Sequence, residues 1–160
     1  MLKNNFKNIK LNKEICEFIG AFIGDGYFGT YGKKQRSYIV GFSGDKKLDE
    51  DYLKNYLKPL IKRNFPFTDP KIYYRNDENT IVLKVYSKKL YEFLLEIGFR
   101  QGKKAHNIMI PQIILENEDF MKATIRGIFD TDGCFFLDKR KAYNKPYPRI
   151  TLQVASIFFN

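Results

Sequence analysis

The 160-residue chain predicts an α+β fold in which helices alternate with antiparallel hairpins. Three observations carry that prediction. Apolar residues recur at helical spacing in four stretches, aromatic and β-branched residues gather in short stretches joined by turn residues, and one stretch occurs twice. The repeated stretch reads FIGAFIGDGYF at residues 18–28 and IRGIFDTDGCFF at residues 125–136. Gly127, Asp132, Gly133 and Phe135 thereby repeat the spacing of Gly20, Asp25, Gly26 and Phe28.

Residues 1–12 are polar and basic and are expected to form a flexible N-terminus. Asn12 is a candidate N-cap and Glu14 favours the first turn, which starts a helix over Lys13–Asp25 that Gly26 stops. YFGTYGKKQRSYIVGF then sets strand formers on both sides of Gly32-Lys33-Lys34, a hairpin whose outward face would be basic. Leu48, Tyr52, Leu53, Tyr56, Leu57, Leu60 and Ile61 place a helix over 46–63, with a kink or early break at Pro59. Residues 71–74 and 80–86 flank a turn at 76–79, with Ile81, Leu83 and Val85 alternating against Val82, Lys84 and Tyr86. Ser87 caps a helix over 88–97 that Gly98 closes. A connector at 99–117 leads to a helix over Glu118–Asp132 and to strands at 134–138 and 150–155. The chain thus divides into the N-terminus, a first repeat at 13–98, the connector, and a second repeat at 118–160 that stops roughly 40 residues short of the same plan.

The charge balance narrows the function. With 28 Lys+Arg against 18 Asp+Glu, the net charge of +10 points to a polyanion, and most simply to nucleic acid, although basic chains also arise for solubility or as membrane-surface binders. Two cysteines and a single histidine, His106, cannot build a Cys/His zinc site or a disulfide framework. No signal segment opens the chain and no apolar run approaches the roughly 20 residues of a membrane span, so an intracellular protein is expected, cytoplasmic, organellar or nucleoid-associated, and not secreted.

The repeated stretch makes a physical demand. Gly20 and Gly24 lie four apart, on one helical face, and so do Gly127 and Thr131. Each helix glycine costs about 1 kcal/mol against alanine, which asks for a compensating close contact, and each small face is the other's natural partner. Packed together, the two helices would end side by side at Asp25 and Asp132. Each carboxylate would then sit at a negative helix C-terminus and repel the other. A divalent cation removes both penalties, because hard cations take carboxylate and carbonyl oxygens. An Asp-Gly after an apolar helix is by itself an ordinary cap; two in matched context are not.

At these residues the chain resembles the LAGLIDADG (dodecapeptide) homing endonucleases, in the form that carries two motifs in one chain. FIGAFIGDG and IRGIFDTDG match the signature in its glycine, its small residue and its terminal Asp-Gly; Ile23 replaces the first acidic position in one copy and Asp130 keeps it in the other. SKKLYEFLLEIGF, GKKAHNIMIP and FMKATIRGIFDTDGCFF extend the resemblance over most of the chain.

The resemblance implies an αββαββα unit, signature helices packed at a pseudo-twofold interface through Gly20, Gly24, Gly127 and Thr131, and an antiparallel saddle on double-stranded DNA. It implies Mg2+ bound by Asp25 and Asp132, with the carbonyls of Gly24 and Thr131 as further ligands, Mn2+ as a substitute, and Ca2+ supporting binding without cleavage. The implied reaction is site-specific hydrolysis of one phosphodiester per strand across the minor groove, in the service of intron or intein mobility. Lys84 fits the family's lysine near the scissile phosphate by position, and fits a solvated strand lysine as well. DNA contacts are expected from the outward strand faces: Lys33, Lys34, Arg36, Tyr38, Tyr73 and Arg75 in the first repeat, and Lys139, Arg140, Lys141 and Arg149 in the second. His106 is expected to be a surface or structural residue, and Cys16 and Cys134 small packed hydrophobes.

Two alternatives stay open. One is a non-cleaving DNA- or RNA-binding relative, a maturase or a regulator. The other is an inactive truncated fragment of a homing endonuclease or intein, whose open sheet edge a homodimer would cover. Met1 offers no splicing nucleophile and Phe-Phe-Asn lacks a His-Asn pair, so a whole intein is not expected.

Overall fold

A computed structural model of the chain describes residues 5–6, 9–32, 37–75, 78–101, 110–140 and 145–152. At the start, where fraying was expected, β1 (Asn5–Phe6) and β2 (Ile9–Lys10) pair antiparallel. The reason is apolar: Ile9 and Leu11 are buried and extend the core.

α1 (Lys13–Asp25) begins at Asn12, whose side chain accepts from the Ile15 N–H. Residues 15–23 are all buried, so α1 is a central helix wrapped on every side rather than an amphipathic surface helix. β3 (Gly26–Tyr31) and β4 (Ser37–Asp45) follow as the first hairpin. The long helix predicted next begins about four residues late, at residue 50. Its winding changes at the proline: Tyr52–Leu57 is π-wound, the Lys58 N–H reaches the Leu53 carbonyl, and Pro59, which has no N–H to donate, enters at the start of α2 (Lys58–Asn64). β5 (Lys71–Arg75), β6 (Thr80–Tyr86) and α3 (Lys88–Glu96) complete the first αββαββα unit, with the Ser87 side chain accepting from the Leu90 N–H and Gly98 at φ +118°.

The four strands pair antiparallel in the order β3-β4-β6-β5. Their inward face carries Phe28, Val40, Phe42, Ile81, Leu83 and Val85 against the helices. Phe18 of α1 meets Phe42 edge-on at 5.8 Å and Phe65 at 5.0 Å, while Phe22 meets Phe28 at 5.6 Å and Phe99 at 4.9 Å. Within the connector, a short helix that the sequence did not suggest, α4 (Gln112–Leu115), buries Ile114. Among the described residues, no helix is long and apolar enough to cross a membrane.

The second unit starts as predicted, with α5 (Glu118–Asp132), whose N-cap Asn117 accepts from the Phe120 N–H. β7 (Gly133–Asp138) pairs with β8 (Tyr147–Leu152), which begins three residues before the expected 150; residues 153–155 lie outside the described residues. Cross-strand partners show a two-sided sheet. Phe135 and Ile150, Leu137 and Pro148, Gly133 and Leu152 share one apolar face, while Phe136 and Arg149, Asp138 and Tyr147 share the other. The apolar face corresponds to the core face of the first unit, yet Ile125, Phe135 and Ile150 are 50%, 63% and 70% exposed, whereas Phe18, at the position matching Ile125, is at 0%.

α1 and α5 cross in direct backbone contact. A Cβ placed on Gly20 would run into the Thr124 carbonyl and lie 3.0 Å from the Gly127 Cα. One on Gly127 would run into the Glu17 carbonyl and lie 2.7 Å from the Ala21 nitrogen. The glycines after the two acids serve a different end. Gly26 and Gly133 have φ of −73° and −80°, which any residue adopts, so no left-handed turn is involved. What they supply is room, since a Cβ on Gly26 would be 2.6 Å from the Phe22 Cα, and one on Gly133 2.6 Å from the Phe129 Cγ.

Because the obstacles at Gly20 and Gly127 are backbone atoms, neither can yield as a side chain would. Gly127→Ala, which in a free helix would gain about 1 kcal/mol, is expected instead to lose about 3 kcal/mol or more of unfolding free energy in urea titration.

Candidate metal site and nucleic-acid interface

The crossing brings the two helix ends together. A Cβ on Gly24 would lie 2.6 Å from the Thr131 Cβ and 3.3 Å from Asp132 Oδ2, so the Asp132 carboxylate rests against the last turn of α1, beside Asp25. Asp25 is exposed and Asp132 half-buried. The Thr131 hydroxyl donates within its own helix, to the Gly127 carbonyl at 3.2 Å and the Ile128 carbonyl at 3.0 Å. Among the described residues, no three His, Cys, Asp or Glu side chains converge as a metal site. A cation here would therefore rest on two carboxylates, with other oxygens from the backbone, water or a bound phosphate. That is the mode Mg2+ favours, one or two carboxylates with substrate phosphates.

Below Asp25 the outer sheet face begins. Register sets Tyr27, Gly41, Lys84 and Lys71 in one row across four strands. Lys84 stands two strands from Tyr27, roughly 10 Å at the usual strand spacing, and its ammonium lies 5.3 Å from the centre of the Tyr73 ring. Tyr73 and Arg75 occupy the same face of β5, with the Arg75 guanidinium 3.1 Å from a Glu78 oxygen. Tyr27, Tyr31, Ile39, Ser43, Arg75 and Lys84 line a cleft of about 250 Å³. Tyr27 was missed by sequence reasoning. Its ring lies over β4 because Gly41 has no side chain: a Cβ there would be 2.8 Å from the Tyr27 Cε1. Burial chiefly, and the neighbouring Tyr31, push its phenol pKa up, while Arg75 pulls it down. The sequence held a signal, an aromatic two residues past Asp25, that only pairing with a glycine made legible.

Other predicted contacts fall elsewhere. Tyr38, expected on the outward face, is half-buried on the core face, with its ring 5.1 Å from that of Tyr91. Register decides this: Tyr31 pairs with Ser37, which turns Tyr38 inward beside Thr30. Arg140 and Arg149 converge on the buried Asp138, Arg140 through Nη2 at 2.7 Å and Arg149 through Nε at 3.0 Å. Hydrogen bonds from Arg140 hold that carboxyl below its usual range against the opposing effect of burial. Lys139 is exposed next to this cluster, and Lys33, Lys34, Arg36, Lys141 and His106 lie outside the described residues. Cys16 is fully buried, which pushes its thiol up to about 12, whereas Cys134, expected to pack, is exposed on the open second sheet.

A second polar cluster flanks the helix crossing. Glu17 of α1 is buried at the crossing and accepts from the Tyr56 hydroxyl. Arg126 of α5 donates to that hydroxyl at 3.1 Å, with Nε 3.6 Å from Glu17 Oε1 and 3.9 Å from Asp130 Oδ2. Burial and the bond to Glu17 push the Tyr56 phenol up to about 12. Arg126, Asp130, Tyr52 and Tyr56 line a neighbouring cleft with Asp49 and Asp51. Burial raises the Asp130 carboxyl, with Arg126 opposing.

Comparison with known proteins places the fold. No protein-family profile matches the chain. Over 129 residues, 80% of the chain, it is 34% identical to a part of the replication factor C small subunit of Methanocaldococcus jannaschii that makes up 6% of that protein. It is 23% identical over 154 residues, 94% of the chain, to an uncharacterized protein of the same organism, spanning 53% of its length. Among solved structures it is similar to mesophilic variants of the homing endonuclease I-DmoI (TM-score 0.56, 21% identity, 76% of this chain and 62% of that one). It is also similar to an I-DmoI complex with target DNA and Mg (TM-score 0.57, 22% identity, 81% and 70%). A complex of I-DmoI with DNA and Ca gives a TM-score of 0.56 at 23% identity, covering 81% and 65%. The chain has the α+β fold of the LAGLIDADG homing endonucleases, with an antiparallel sheet and helices.

A carboxyl whose pKa is raised on folding holds its proton more tightly in the folded chain, so its ionisation at neutral pH lowers stability. Asp130→Asn is therefore expected to raise Tm at pH 7, and the gain should shrink in melts taken as the pH falls toward about 4, the usual range of an unfolded carboxyl.

Proposed function

We propose that the protein is a site-specific endonuclease of double-stranded DNA, a two-motif LAGLIDADG homing endonuclease that uses a divalent metal, preferentially Mg2+, and serves intron or intein mobility inside the cell. One observation carries the reading: two helices that cross backbone to backbone set Asp132 against the last turn of α1 beside Asp25, at the head of a sheet whose outer face bears Tyr27, Lys71, Tyr73, Arg75 and Lys84. The net charge of +10 suits a polyanion.

Asp25 and Asp132 would hold the cation, with the Gly24 and Thr131 carbonyls available beside them. When bound, such an ion polarises a phosphate and lowers the pKa of a water. The protein's own part is placement. The outer sheet face lays the duplex so that one phosphate meets the helix ends, the arginines and lysines hold the backbone, and the Lys84 ammonium offsets charge developing on the phosphate oxygens.

Asp25→Asn and Asp132→Asn are each expected to abolish cutting in Mg2+, measured on targets selected from a random duplex library, while binding in Ca2+ persists. A variant that cuts as fast as the parent would remove the metal assignment. Binding without cutting by the parent would instead identify a non-cleaving relative, the regulator or maturase reading.

The open second sheet supports a further reading, of assembly. The apolar face of Phe135, Leu137, Ile150 and Leu152 carries no charge, and its counterpart in the first unit is covered by helices. A second copy, packed about a twofold axis on this face, would bury both. Sedimentation should show a dimer that Phe135→Asp with Ile150→Lys converts to monomers; a monomeric parent would rule the dimer out.

A further inference from the structure

We infer that Arg126 is a positioning residue: clamped by Glu17 and Tyr56, it fixes the rotation of α5 on α1 and thereby the spacing of Asp25 and Asp132. The inference rests on the metal reading for its consequence, and on geometry for its cause. The glycine faces set how closely the two helices approach, and at their N-terminal ends Lys13 and Asp119 pair at 3.0 Å, far from the two acids. Nearer the acids, directional contacts lie one residue from the crossing glycine. Arg126 stands next to Gly127 and six residues before Asp132, on a helix whose end carries the acid. Its guanidinium meets the Tyr56 hydroxyl at 3.1 Å and Glu17 Oε1 at 3.6 Å, and sits 5.7 Å from the centre of the Tyr56 ring. Three elements of the two units are joined there: α1, the π-wound segment before α2, and α5.

The internal symmetry shows that packing does not require this cluster. The positions that match Arg126 and Glu17 on the opposite flank are Ile19 and Thr124, at 0% and 1% exposure, and the Thr124 hydroxyl donates into its own helix, to the Phe120 carbonyl at 2.9 Å. One flank is filled by ordinary core contacts. The other keeps a buried carboxylate, a group that is costly to bury without partners, and supplies those partners from two other elements. The Arg126 side chain is itself 60% exposed, so it can be changed without opening the core.

The test compares the parent with Arg126→Met, Arg126→Lys and Glu17→Gln by two readouts. The first is metal-free: spin labels on the exposed residues 62 and 122, with Cys16 and Cys134 replaced by alanine, report the distance distribution between α2 and α5. It is expected to broaden or shift in Arg126→Met and in Glu17→Gln, and to be largely restored in Arg126→Lys. The second is binding of Mn2+ alone, followed by the free-ion resonance. Its dissociation constant should rise about tenfold or more in Arg126→Met, the scale seen when a ligand's supporting contacts are removed, with binding of random duplex DNA unchanged. An Arg126→Met label distribution identical to the parent's overturns the clamp. A parent that binds no Mn2+ overturns the metal reading instead, and the label distances still judge the clamp.

Discussion

The close crossing of α1 and α5 is the contact on which the rest of the molecule depends. Carbonyl oxygens of each helix occupy the space where a side chain of the other would be, at Gly20 and Gly127. From that contact follow the burial of α1 on every side, the meeting of the two helix ends, and the common origin of both sheets just past Asp25 and Asp132. A pair of acids at helix C-termini is electrostatically unfavourable, and a fold that places them there departs from what stability alone would choose.

The two units answer the same local sequence with unequal surroundings. In the first, Phe42, Phe65 and Phe93 surround α1 and its strands, and the sheet has four strands. In the second, no described helix covers the matching face of β7 and β8, and Phe135 and Ile150 are exposed although their positions correspond to core. The segment repeats; the layer that covers it does so only once among the described residues. The flank of the crossing departs from symmetry in a similar way, with Glu17, Tyr56 and Arg126 on one side and Ile19 and Thr124 on the other.

Much of the architecture was legible because local signals agreed with one another. Asn12, Ser87 and the helical spacing of apolar residues located α1 and α3, and the Asp-Gly echo located α5. The helix crossing was legible too, since glycines four apart in a buried helix have few other uses. Less legible were features that depend on strand register. Tyr38 faces the core and Tyr27 the outer face because of how β3 and β4 pair around Gly32, and no property of either tyrosine distinguishes them beforehand. The tie of Arg140 and Arg149 to Asp138 likewise joins residues on two strands and the turn beside them, a convergence that composition cannot reveal.

The sequence by itself determined that this is a basic α+β chain with a repeated helix-Asp-Gly segment, and that the two copies should meet through their glycines. Those are local properties: periodicity, caps, side-chain size and charge act within a few residues of one another. Tertiary structure alone decided which aromatics face the outer cleft, which cations are already paired with carboxylates, and that a buried glutamate, a tyrosine and an arginine from three elements lock the crossing on one flank. These depend on distances between segments far apart in the chain, which are set only when strand register and helix rotation are fixed together.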